Sequence, residues 1–202
     1  MRRIVVGVGG ASGAPYALRL LQFLSENAEE AGVEPHVVFS KTGRLVWNDE
    51  VGVDPAEFGF PVHAPNDMTA AFASGSAQFD AMVVVPCSAG GLARIAHGLS
   101  IDLIGRAADV MLKERRKLVL VLRESPYSLP QLKNMVAVAE AGALVMPASP
   151  SFYSAPADRI ALLDTVTARI LDQLGIDNTL MRRWTGQLNR AHIGRVANGG
   201  SR

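Results

Sequence analysis

Two turns of small residues and a scattered set of cations are where this sequence could do chemistry. The first turn is Gly7, Gly9, Gly10, Ala11, Ser12 and Gly13, set between an apolar run and a helical pattern. A glycine turn lets backbone N–H groups face an anion or a flat ring, and the helix that follows adds partial positive charge at its N-terminus. That is a nucleotide or phosphate cradle. Gly7 and Gly9 match the first two glycines of the dinucleotide fingerprint, but Ser12 stands where the third would be, and no GKT or GKS follows for an NTPase loop. Ser12 reads either as a cofactor contact or as a cap for the helix.

The second turn is Pro86-Cys87-Ser88-Ala89-Gly90-Gly91, again small residues between an apolar run and a helix. Two such turns on one sheet edge point to a shared site. Cys87 has no neighbouring His in sequence to activate it, so a small core residue is the plainer reading than a nucleophile. In IDLIGRAADVMLKERRK, Arg106 and Lys113 lie seven residues apart, two turns along one helix face, where both could address a phosphate. The bland alternative is local pairing, Asp102 with Arg106 and Asp109 with Lys113, each at i, i+4. Arg115, Arg116 and Lys117 suit the helix C-terminus. Arg123 and Glu124 end an apolar run, and a charged pair there is expensive unless it faces a site. Tyr153 and Arg169, taken singly, read as structural residues.

The elements that must position these residues follow from the apolar pattern. Runs at Ile4 to Val8, Val37 to Phe39, Met82 to Val85 and Leu118 to Leu122, with a weaker one at Ala143 to Met146, lack polar alternation and predict strands covered on both faces. Helical patterns lie at Ala14 to Asn27, Ala89 to His97, Asp102 to Arg116, Leu129 to Ala141 and Asp158 to Leu174. Their alternation predicts the α/β class: a doubly wound, mostly parallel, Rossmann-like sheet with helices on both faces and ligands at the carboxyl ends of its strands. Residues 48 to 68 mix Gly, Pro and Asp without a period and read as a long excursion, functional or a plain insertion. The expected organisation is one domain over residues 1–185 and a flexible C-terminal tail over 186–202.

Composition narrows the function classes. The 202 residues carry 20 Lys and Arg against 19 Asp and Glu, a net charge of +1, so nothing pulls the whole chain towards nucleic acid or anionic lipid. Apolar residues make up 49% and mean hydropathy is +0.18, which excludes disorder as a whole. No stretch approaches the roughly 20 apolar residues that span a bilayer. The opening MRRIVVGVGG is too short in apolar residues for a signal peptide. One cysteine excludes an internal disulfide and a multi-Cys zinc site, and makes a reducing, cytoplasmic setting the default. Twenty-eight Ala and 19 Gly beside 12 aromatic residues describe elements that approach closely.

Taken together, the segments GVGGASGAPYALRLL, Ser40-Lys41, ASGS at 73 to 76, PCS at 86 to 88, RAADVMLKERRKLVLVLRESP at 106 to 126, NM at 134 to 135, GALVMPASPSFY at 142 to 153 and ARILDQLGI with Trp184 resemble the UbiX-type flavin prenyltransferases. The resemblance implies a flavodoxin-like sheet that binds FMN, assembles as a homo-oligomer, usually a dodecamer, and needs no metal. It implies transfer of a dimethylallyl group from dimethylallyl phosphate or pyrophosphate to reduced FMN, giving the prenylated cofactor of a UbiD-type decarboxylase. By matching position, Gly10, Ala11, Ser12, Ser40, Ser88, Ala89, Gly90, Gly91 and Arg123 would hold FMN. Lys113, Arg123, Tyr153 and Arg169 would grip the prenyl phosphate, and Arg106 would support them. Glu50 and Glu124 would manage protons, Glu124 as donor to the leaving phosphate if burial raises its pKa.

This chain departs from the family's usual residues at Gly91, Ile101, Ser154 and Ala155, and the Gly91 departure predicts a backbone contact in place of a side chain. The enzyme alternative is an FMN-dependent cysteine decarboxylase, whose PASANT-like segment is PCSAGG here. The other alternative is an FMN-binding accessory subunit without transfer activity.

Overall fold

The computed structural model describes residues 1–186; the expected tail lies outside them except for Gly186. Six strands, β1 (Arg2–Val8), β2 (Val33–Phe39), β3 (Val62–His63), β4 (Ala81–Cys87), β5 (Lys117–Leu122) and β6 (Leu144–Pro147), form one sheet in the order β3-β2-β1-β4-β5-β6. All five pairings are parallel. The helices are α1 (Ala14–Asn27), α2 (Lys41–Glu50), α3 (Ala89–Ala96), α4 (Leu103–Lys113), α5 (Leu129–Glu140) and α6 (Arg159–Leu174). The apolar runs are strands because both of their faces are covered. Ile4, Val6 and Val8 face a core shared with α1, α6 and Trp47 of α2. Val5, Met82 and Val84 face the other core, with α3, α4 and Val138 of α5. The doubly wound α/β class read from the sequence is the fold.

The departures have local causes. β3 is two residues long and lies within the 48–68 excursion, too short for any period to show. The start of that excursion completes α2, which buries only Gly43 and Trp47 and so has no apolar stripe to announce it. α4 stops at Lys113 rather than Arg116, and Arg115 just beyond it takes a left-handed φ of 54°. The i, i+4 pairs on that helix do not form. Asp102 caps α4 by accepting the Gly105 N–H at 2.8 Å, Arg106 turns to Asp109 at 3.1 Å, and Lys113 pairs with the adjacent Glu114.

β1 is the pivot of this arrangement, since strand order runs one way from it through β2 and β3 and the other way through β4, β5 and β6. In an open α/β sheet that reversal leaves a crevice at the carboxyl ends, between the turns after β1 and β4. α6 closes one face and is tied to α1 by a bidentate pair, Arg19 Nε to Asp164 Oδ1 at 2.7 Å and Nη2 to Oδ2 at 3.0 Å. Asp164 is only 7% exposed, so removing Arg19 would leave a buried carboxylate without its ion-pair partner. Arg19→Met is expected to cost about 3 kcal/mol in denaturant unfolding, with most of it recovered in Arg19→Met/Asp164→Leu. Equal losses in the single and double variants would show that the pair is not what holds α6.

Candidate functional site

The crevice is built on close backbone approach. The Gly9 N–H donates to the Pro86 carbonyl at 3.0 Å, and a Cβ on Gly9 would sit 2.5 Å from that oxygen, so no larger residue fits. Gly43 is held the same way, its hypothetical Cβ falling 2.2 Å from the Val8 carbonyl. The turns after β1 and β4 and the start of α2 are thereby pressed together.

Beyond Gly10 the turn does something other than cradle an external anion. α1 starts at Gly13 in a left-handed conformation, with no side-chain cap of its own. The N–H groups of Gly13 and Ala14 both donate at 2.8 Å to Glu50 Oε2, from the end of α2, and the Ser12 hydroxyl lies beside the same carboxylate. So Ser12 is not the helix cap, and the positive end of α1 is met by an internal carboxylate. Glu50 ends a helix rather than sitting in an irregular loop. Burial works against its ionisation, but Ser12, the two N–H donors and the charge of Arg123 outweigh burial and hold its pKa below the ordinary 4.5. Arg123 also faces Tyr16, whose phenol burial raises in pKa against the pull of the guanidinium. Ser12, Glu50, Tyr16 and Arg123 therefore make one group, drawn from the turn after β1, the end of α2, the start of α1 and the end of β5.

Next to it opens a cavity of about 380 Å³ lined by Gly10, Ser40, Thr42, Ser88, Arg94 and Asp102, among others. Three helices start on it. Ser40, Ser88 and Asp102 are the caps of α2, α3 and α4, accepting the N–H groups of Gly43 at 2.9 Å, Gly91 at 3.1 Å and Gly105 at 2.8 Å. Each cap fixes its own turn, and the Gly91 N–H is bonded to Ser88 Oγ. Cys87 lies fully buried beneath, and burial pushes its thiol up to about 12 despite the nearby Arg94. It is a core residue, as its sequence context suggested.

The fold is shared with known proteins. Residues 1–183 match the Flavoprotein family model. A flavin prenyltransferase UbiX from Deinococcus radiodurans is 50% identical over 185 residues, covering 90% of this chain and 93% of that one. The chain belongs to the UbiX-type flavin prenyltransferases. Among solved members of the family, AnUbiX in complex with FMN and dimethylallyl pyrophosphate superposes with a TM-score of 0.87 at 42% identity, over 92% of this chain and 98% of that one. A dodecameric FMN-dependent UbiX-like decarboxylase from Escherichia coli O157:H7 gives 0.86 at 42% identity, over 91% and 100%.

The remaining residues that the family resemblance singled out do not gather at this crevice in one chain. Lys113 ends α4, about 16 Å along that helix from Asp102, and the chain re-enters the sheet four residues later at Lys117, opposite the first residue of β4. That is the far edge of the sheet. Arg106 turns aside to the Ala73 carbonyl at 2.9 Å. Arg169 pairs at 2.7 Å with Asp172, which also holds Arg183, while Tyr153 stands edge-on to Trp184 with centroids 6.0 Å apart. Arg169 and Tyr153 are exposed. Glu124 is half-buried beyond the end of β5 and accepts the Ser125 N–H at 3.0 Å. Sequence reasoning missed Arg94, because on a short helix among Ala, Ile and Leu it has no motif; its spacing of four from Gly90 was the available sign.

Two outcomes test this geometry. Folded protein at pH 8 should resist iodoacetamide, with Cys87 reacting only on unfolding; rapid alkylation of the native protein would contradict its burial. Glu50→Gln should cost about 0.5–1 kcal/mol at neutral pH, the lower range of cap losses for a group partly open to water. A carboxylate with a depressed folded pKa stabilises fully above its ordinary value and loses that contribution as pH falls through the folded one. The gap between wild type and variant should therefore close below pH 4.5.

Proposed function

We propose that this chain is a flavin prenyltransferase that moves a dimethylallyl group from dimethylallyl phosphate or pyrophosphate to reduced FMN. The observation that carries this reading is the junction of the Ser12–Glu50–Arg123 group with the cavity under Gly10, Ser40 and Ser88, in a family whose solved member holds FMN and dimethylallyl pyrophosphate. These residues suit the flavin. Gly10 lines the cavity with backbone, and the cavity is polar, with hydroxyls from Ser40, Thr42 and Ser88 and a cation at Arg94. Gly10, Ala11, Ser12, Ser40, the Ser88–Gly91 turn and Arg123 hold the flavin in this reading. Reduced FMN supplies the electron-rich ring that accepts the dimethylallyl group.

This chain's residues handle the leaving group and the protons. The allylic carbon–oxygen bond breaks with its electron pair going to the phosphate oxygen, and donors preorganised around that oxygen lower the barrier. Lys113, Tyr153 and Arg169 take this role, and Arg123 meets the same charge from the flavin side. Glu50, ionised and pinned to the start of α1, sets the position of Ser12 and is the carboxylate beside it for taking up a proton. Glu124 serves the phosphate, and Arg106 braces α4 through Ala73 and Asp109.

Because Lys113 lies across the sheet from Ser12, the site must be completed by neighbouring subunits, which fits a dodecamer. Exposed Leu129, Leu132 and Val136 on α5, with Phe152 and Ile160, offer apolar surface for that assembly. Residues 1–185 form the working domain in this reading. Its product serves a UbiD-type decarboxylase, and the setting is the cytoplasm, in keeping with one buried thiol and with no helix among the described residues long and apolar enough to cross a membrane.

Incubation with reduced FMN and dimethylallyl phosphate, and separately the pyrophosphate, should yield prenylated flavin by mass spectrometry. No product with either donor would overturn the reading. Lys113→Ala should lower donor use by about tenfold or more while FMN binding is kept; loss of FMN binding instead would contradict the role given to Lys113.

A further inference from the structure

We infer that Arg94 is a specificity residue for the phosphate monoester of the flavin, a role that rests on the reading of the cavity as an FMN site. Four observations converge on it. Arg94 lines the 380 Å³ cavity, and it also lines the deeper recess beneath Gly9, Cys87 and Ser88. Its guanidinium reaches back over the first turn of α3, so that a Cβ added at Gly90 would lie 3.8 Å from Nη1. This is the direction a helical side chain takes, towards the N-terminus of its own helix. Among the described residues its side chain has no ion pair and no hydrogen bond.

That placement is electrostatically incomplete. A cation belongs at the C-terminal end of a helix, whereas Arg94 holds its charge at the positive end of α3, where the dipole opposes it. The carboxylate on the cavity, Asp102, is no ion-pair partner of Arg94, and its Oδ1 is taken by the Gly105 N–H. Lys41 adds a second cation to the wall. Arg94, Lys41 and the start of α3 all favour an anion in the space between them.

The same turn carries no charged side chain of its own. Ser88 and Ser40 each accept a backbone N–H, from Gly91 and Gly43, and keep a single neutral O–H to donate, while Gly90 and Gly91 bring no side chain. A guanidinium offers several N–H donors in a planar fork that matches a phosphate dianion. Arg94 therefore supplies, from one turn further along α3, the charged donor that Gly90 and Gly91 lack. The anion could belong to the flavin or to the prenyl donor. The flavin is favoured because the cavity adjoins the Gly10 and Ser88 turns, while Lys113 and Arg169 lie away from it.

The test is binding without turnover. Apo protein is titrated with FMN and with riboflavin, which lacks the phosphate, for wild type, Arg94→Ala and Arg94→Lys, following flavin fluorescence. Wild type should prefer FMN. Arg94→Ala should weaken FMN by about tenfold or more and leave riboflavin within about twofold, which also shows that the variant is folded. Arg94→Lys should recover part of the loss, and added salt should weaken FMN more in wild type than in Arg94→Ala. Unchanged FMN affinity in Arg94→Ala would overturn the inference, as would equal losses for FMN and riboflavin. A loss confined to dimethylallyl phosphate would assign the anion to the donor and overturn it too. Wild type that binds neither flavin would refute the reading of the site itself, a separate failure.

Discussion

The Gly9 N–H and the Pro86 carbonyl meet across a gap that admits no side chain, and the crevice depends on that contact. β1 and β4 run parallel and in step to this point, where the sheet reverses its strand order. Only a glycine lets the two strand ends stay closed while their turns splay apart to open a groove above. Gly43 brings α2 against Val8 under the same restriction, with Ser40 on the cavity wall and Glu50 against the start of α1. One abundance in the composition, 19 Gly, is thus concentrated where it matters into a few positions of obligatory contact.

Charge in this molecule is arranged by what each helix end already has. α1, α2, α3 and α4 all begin at the carboxyl edge, and each meets its first N–H groups with an internal acceptor: Glu50, Ser40, Ser88 and Asp102. The helix ends are thereby fixed in place. Arg123 and Arg94 stand beside them on one edge of the sheet, while Lys113 lies on the other.

Much of this was legible from sequence. Long apolar runs gave β1, β4 and β5, because burial on both faces leaves no polar alternation to confuse, and the glycine turns gave the edge where the site lies. Four features resisted. β3 holds two residues, and α2 buries a glycine and a tryptophan without a stripe, so neither has a period to read. The Glu50 contact with Gly13 joins residues 37 apart and depends on α2 being there. The position of Lys113 across the sheet from Ser12 is invisible to motif matching, which aligns residues with roles but not with subunits. The i, i+4 pairs on α4 failed for a simpler reason: Asp102 serves as a cap, Asp109 is taken by Arg106, and Lys113 pairs with Glu114.

A site divided between copies of the chain is most directly tested by mixing. Lys113→Ala and Arg123→Ala would each be purified alone, then co-expressed with different tags and isolated as mixed oligomers, with prenylated flavin measured in all three preparations. Mixed oligomers should recover activity that neither parent has, because some sites then draw an intact Arg123 from one chain and an intact Lys113 from another. Mixed oligomers as inactive as their parents would mean that both residues serve a site within one chain, contradicting the separation seen across the sheet.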